Sequence, residues 1–169
     1  TTAINGIPGT LYGTYSRIDN LEGATSALSL KMKQLTHDLN VTISNDVSVN
    51  SGYAVLNGVA SSVNLKTGES SGSEDAVTEV RIATNAKGEQ EITVPFRLLG
   101  LDKSTTHTLT IYLSLADGTS KTIVTDLSSY LSNFGQTTAP LNIASGVALS
   151  SIMSGVNNWQ VVNAGTIKL

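Results

Sequence analysis

Two histidines, one Gly-x-Ser-x-Gly run and a few spaced acidic residues are where this 169-residue chain would keep reaction chemistry. His37 and His107 each lack a second histidine at H-x-H or H-x₃-H spacing, the separations that bring two imidazoles onto one zinc ion. Each is read as a structural histidine. There is no cysteine, which removes disulfides, thiolate nucleophiles and zinc–thiolate sites together. Glu89 and Glu91 fall on one face of a strand, but paired-carboxylate catalysis needs a cleft and a raised pKa, and spacing supplies neither. Glu74-Asp75 reads as a pair of solvated carboxylates, and no segment has the alternating Asp/Asn and distal Glu of a calcium loop. Gly68-Glu69-Ser70-Ser71-Gly72 satisfies G-x-S-x-G, yet a nucleophile elbow works as a strained turn from a buried strand into a helix. Polar and acidic residues follow it here, so the match is a coincidence of a Ser/Gly-rich stretch. The expectation is a protein with no catalytic residues, no metal and no cofactor: not an enzyme.

Binding chemistry is the alternative. Trp159, the one tryptophan, with Tyr12 and Tyr15, is the candidate contact set for a carbohydrate or a partner, because aromatic faces stack on sugar rings. Tyr53, Tyr112 and Tyr130 belong to the same inventory. Aromatics make up only 5% of the chain, which favours a single site over a broad platform. The plainer reading of Trp159 is packing in the last strand. A net charge of −3 and a pI near 5.2 leave no basic stripe for nucleic acid. No stretch approaches the roughly twenty apolar residues of a membrane helix. Asn40-Val41-Thr42 fits the N-glycosylation pattern but lies inside a strand, not in an acceptor loop. The N-terminus has no basic region leading into an apolar run, so an export signal is expected to be removed or to lie outside this chain.

The elements that must position these groups are strands. In His107–Asp126, Leu109, Ile111, Leu113 and Leu115 alternate with Thr108, Thr110, Tyr112 and Ser114, which gives one aliphatic face and one hydroxyl face. Asp117-Gly118 supplies the turn, and Thr122 to Thr125 returns antiparallel. Leu35, Leu39, Val41 and Ile43 share one parity, with His37 on it, and predict a long strand from Lys31. Further strands are predicted at Tyr53–Ala60, Val63–Leu65, Val77–Ala83 and Glu91–Leu99, where Pro95 implies a sheet edge or a bulge. Glu69 to Asp75 offers no apolar side chain and predicts a mobile loop. Asp126, Leu127, Tyr130 and Leu131 have the cap and spacing of a one- or two-turn helix. Leu141 and Ile143 suggest a short strand, Val147–Met153 a short helix or irregular segment, and Trp159, Val161 and Ile167 the last strands. Residues 1–30, punctuated by Gly6, Pro8, Gly9 and Gly13, read as an extended lead-in or edge strand. Residues 31–169 then form one domain. Seven or eight short strands with one or two short helices predict an all-β Greek-key sandwich, with a closed barrel as the competitor. Serine and threonine, about a quarter of the chain, suit such a polar β protein, and that composition favours an exported one.

Three stretches carry a family resemblance: MKQLT at 32–36 running on to Ile43, LTIYLSLADGTSKTIVTDLSSYL, and WQVV at 159–162. In that order they resemble the C-terminal, transthyretin-like sandwich of the Bacteroidales fimbrillin-like and fimbrial-anchor proteins. The resemblance covers residues 31–169. It implies an exported protein of the outer-membrane surface or fimbrium, working in adhesion or pilus assembly by strand pairing with other pilin subunits. A complete N-terminal sandwich and a lipid-accepting cysteine are not in the sequence, so membrane attachment is expected only through a lipid anchor outside this chain. A surface carbohydrate-binding module, taking a host or bacterial glycan, is the alternative function.

Overall fold

The computed structural model describes residues 3–18, 29–86 and 88–151. In chain order its strands are β1 (Ala3–Asn5), β2 (Tyr12–Gly13), β3 (Lys33–Gln34), β4 (His37–Asn45), β5 (Val49–Val59), β6 (Ser62–Val63), β7 (Ser70–Ser71), β8 (Glu74–Glu79), β9 (Arg81–Thr84), β10 (Gln90–Leu98), β11 (Thr108–Leu115), β12 (Ser120–Asp126) and β13 (Leu141–Val147). Two sheets form the sandwich, one ordered β1-β8-β5-β11-β12 and the other β13-β4-β10-β9. Two small ladders, β2–β3 and β6–β7, complete it. The sandwich was predicted, and the open two-sheet arrangement sets aside the barrel.

The alternation in the sequence becomes the core directly. Leu109, Ile111, Leu113 and Leu115 of β11 face Leu39, Val41 and Ile43 of β4 and Ile92, Val94 and Phe96 of β10 across one cluster, all buried. Tyr112, with the opposite parity, is exposed on the outer face. The hairpin turns at Gly118, whose φ of 83° explains the glycine. One polar tether crosses between the sheets: the Gln90 side-chain amide donates to the Val49 carbonyl at 3.0 Å, and the Val49 N–H donates back at 2.6 Å.

The structure corrects several expectations. Glu69 to Asp75 is not one loop: Ser70–Ser71 pairs with Ser62–Val63, and Glu74 and Asp75 open β8. Backbone pairing orders this segment without apolar side chains, since strand hydrogen bonds do not depend on them. The strand expected from Lys31 breaks after Gln34, and Thr36 is buried with its Oγ1 accepting from the Leu11 N–H at 3.0 Å. The 77–83 strand divides at Val80, where the chain passes from one sheet to the other. β10 runs unbulged beside β4 through Pro95, but β9 stops opposite Thr93, so Pro95 lies where β10 has become a local edge.

After Asp126 there is a succession of turns in place of a regular helix. The Leu131 N–H donates to the Leu127 carbonyl at 3.0 Å, while the Phe134 N–H reaches only three residues back. Serines in this stretch favour local turns over helix, which the apolar spacing did not register. Leu127 and Leu131 are still buried as the spacing required. The short segment after Val147 is a single 3₁₀ turn, Leu149–Ser151. The strands expected at Trp159, Val161 and Ile167 lie outside the described residues.

Candidate functional site

Both terminal strands of the described sandwich are edge strands, and both run parallel to their neighbours. β1 pairs with β8 through three residues only, Ala3 with Asp75, Ile4 with Ala76 and Asn5 with Val77. The Gly6 N–H adds one bond to the Val77 carbonyl at 2.9 Å, and Gly6, at φ 79°, turns the chain away. Ile4 packs partly buried against the core, whereas Ile7, Leu11 and Ile18 stay exposed. Beyond β1 the lead-in crosses to the other sheet on backbone bonds: the Leu35 N–H donates to the Leu11 carbonyl at 2.8 Å and β2 pairs with β3. Arg97, on the outer side of β10, grips Asp38 at 2.6 and 3.3 Å and donates to the Pro8 carbonyl at 3.4 Å. The Asp38 hydrogen bond raises the Arg97 pKa, so the charge is permanent. β13 is held differently, with seven pairs on β4 and Ile143 and Val147 buried. The β1 edge is therefore the weakly held one.

Tyr12 and Tyr15 are exposed on the lead-in, and Trp159 lies outside the described residues. The structure instead brings Tyr53 and Tyr112 together, cross-strand neighbours with ring centroids 4.7 Å apart and 20° between planes. Sequence spacing gives no hint of this pair, since β5 and β11 meet only through the sheet register. Tyr53 also walls a cleft of about 590 Å³ with Asn5, Ile7, Glu79 and Arg81.

Asp102, Asp117 and Asp126 serve turns. Asp117 accepts from the Thr119 hydroxyl and N–H at 2.7 and 2.9 Å, and Asp102 holds Ser104 in the same way at 2.6 and 2.9 Å. Ser104 at Asp102, Thr119 at Asp117 and Ser128 at Asp126 lower the carboxyl pKa values through these hydrogen bonds. That is the reverse of the shift a general acid needs. His107 is buried, its Nδ1 3.4 Å from the Asn57 carbonyl, and His37 is half-buried with Nδ1 3.0 Å from the Thr137 carbonyl and its ring edge-on to Phe134. Ser70 of the G-x-S-x-G run lies in β7, opposite Val63, with no helix after it. Glu89 precedes β10 and accepts from the Asn85 amide at 3.0 Å. Among the described residues no three His, Asp or Glu side chains converge as a metal site, and no helix is long and apolar enough to cross a membrane.

A larger concavity, about 800 Å³, opens at one end of the sandwich. Connecting segments build it: the lead-in near Tyr15, the approach to β4, the β6–β7 turn, residues 99–107 and the turns after β12. Lys31, Lys33 and Lys103 converge there, and no sequence signal links these three lysines.

Parallel terminal edge strands, open clefts and turn-bound carboxylates define the class as a two-sheet β-sandwich module. Its family follows from comparison. The model of the fimbrillin-A associated anchor proteins Mfa1 and Mfa2 matches residues 1–165, and the chain belongs to that family. No curated protein matches in sequence. Among solved structures, a candidate adhesin from Bacteroides ovatus ATCC 8483 superposes with a TM-score of 0.56 at 12% identity, covering 92% of this chain and 61% of its own. A candidate cell adhesion protein, BF2867, from Bacteroides fragilis NCTC 9343 gives a TM-score of 0.37 at 14% identity, covering 79% and 49% respectively. The first likeness supports the fold. The chain spans about three fifths of that neighbour's length.

Proposed function

We propose that this chain is a non-enzymatic, exported surface module of pilus assembly or cell adhesion, which joins other pilin subunits by β-strand pairing at the outer-membrane surface. Family membership supports the setting. The observation that carries the mechanism is β1, a three-residue parallel edge strand with one partly buried apolar anchor, Ile4. When β1 leaves, the N–H and C=O groups along the outer side of β8 lie open, and an extended strand from a neighbour completes the sheet. Three residue pairs and one partly buried isoleucine are a small loss for a core of this size, so exchange leaves the sandwich folded.

Deleting residues 1–21 is expected to give a folded but less stable sandwich, and a synthetic peptide of Thr1–Leu21 to bind it in trans and restore the thermal midpoint. A truncated protein with full stability and no response to the peptide would sink the strand-exchange reading.

The carbohydrate reading keeps one geometric support, the Tyr53 cleft. Tyr112 packs on one side of the Tyr53 ring, and the cleft beside Tyr53 carries Asn5, Glu79 and Arg81, groups that bond sugar hydroxyls. Tyr12 and Tyr15 are separate exposed contact points in that reading. On a glycan array, binding that disappears in Tyr53→Ala supports it, and an array with no signal above background removes it.

A further inference from the structure

We propose that the large end cleft binds a short acidic peptide strand with interspersed aliphatic side chains, contributed by a partner protein. This goes beyond the strand-exchange reading, because the cleft belongs to the loop end of the sandwich and not to the β8 edge. Charge is segregated there against the composition of the chain. The protein carries 10 lysines and arginines against 13 acidic residues, yet Lys31, Lys33 and Lys103 and both histidines line this one cleft. Among the described residues lining it there is no Asp or Glu. None of the three lysines is ion-paired among the described residues, whereas Arg97 pairs with Asp38. Asp102 and Asp126, whose charges act on His107, lie outside the lining, where Ser104 and Ser128 hold them as ionised turn carboxylates.

Three lysines in a lining that holds no acidic side chain give the cleft a positive wall, which favours an anionic ligand. The walls between them decide the ligand class. They combine polar side chains with the rings of Tyr15 and Phe134 and with Leu35, Leu65, Leu101 and Leu131, of which Leu65 is half exposed. The leucines pack leucine- or valine-type side chains, and the polar groups between them bond a peptide backbone. Acidic and aliphatic groups alternating along an extended peptide fit both features, and connecting loops set on a rigid sandwich are the usual place for such recognition.

The test is fluorescence polarisation on the full chain with a labelled heptapeptide alternating Glu and Leu, beside the same peptide with Lys for Glu, and with labelled polygalacturonate as a carbohydrate polyanion. The expected result is binding of the Glu/Leu peptide that weakens as salt rises, with no binding of the Lys/Leu peptide. The double variant Lys33→Glu/Lys103→Glu should lose about tenfold or more in affinity at an unchanged thermal midpoint, because both lysines are exposed. No binding of the Glu/Leu peptide overturns the proposal, as does binding indifferent to the charge reversal. Binding of polygalacturonate alone overturns the choice of a peptide. The Thr1–Leu21 peptide plays no part in these measurements, so the two readings fail separately.

Discussion

Ile111→Ala is expected to lower the unfolding free energy by about 2–5 kcal/mol, the usual range for truncating a packed aliphatic side chain. Ile111 is fully buried on a strand paired on both sides, opposite Ala54 on β5 and Ile123 on β12. Its side chain enters the single cluster that both sheets share, where Leu39, Val41, Val94 and Phe96 are also buried. Neighbours drawn from two sheets cannot close together without shifting strand register, so most of the cavity stays open. Urea denaturation measures this as a lower midpoint with an unchanged slope. A loss below about half a kcal/mol would contradict the inward parity of β11.

Gly58→Ala should cost nearly as much, about 2–4 kcal/mol, for two independent reasons. Gly58 has φ 69° at the point where the β5–β8 register shifts between Leu56 and Val59, a conformation that any Cβ strains. The added carbon would also stand 2.5 Å from Thr105 Oγ1 and 2.8 Å from His107 Nδ1, so the buried imidazole or the connection after β10 must move. Gly118→Ala separates the two contributions. Gly118 has φ 83°, but an added Cβ there meets nothing within 4 Å, so only the backbone cost of about 1–2 kcal/mol remains. Equal losses in the two variants would show that packing around Gly58 contributes nothing.

Local alternation made much of this molecule readable. β4, β10 and β11 each carry a period-two pattern, because the side chain of every second residue must leave water when one sheet face packs on another. The family was readable as well: the motifs at 32–43, 109–131 and 159–162 led to the fimbrial-anchor assignment that the family model then made over residues 1–165. Where segments rest on backbone bonds, reading by apolar content failed. Ser70–Ser71 and Glu74–Asp75 are ordered by strand pairing that any sequence can make, so the missing apolar residues misdirected the loop expectation. The helix after Asp126 failed in the opposite sense, since its apolar residues are buried as expected but from turns.

Which residues the chain buries, and hence its fold class, was set by the sequence itself, because burial follows from a pattern only a few residues long. Which strands become neighbours was decided by the tertiary structure. The parallel addition of β1 to β8 and of β13 to β4, the stacking of Tyr53 on Tyr112, and the convergence of Lys31, Lys33 and Lys103 all join residues far apart in the chain. No local pattern encodes such meetings, since they depend on sheet order and register, which the whole core fixes at once. The N-terminal edge strand was legible as such in residues 1–30, but its partner β8 and the basic cleft belong to that second kind.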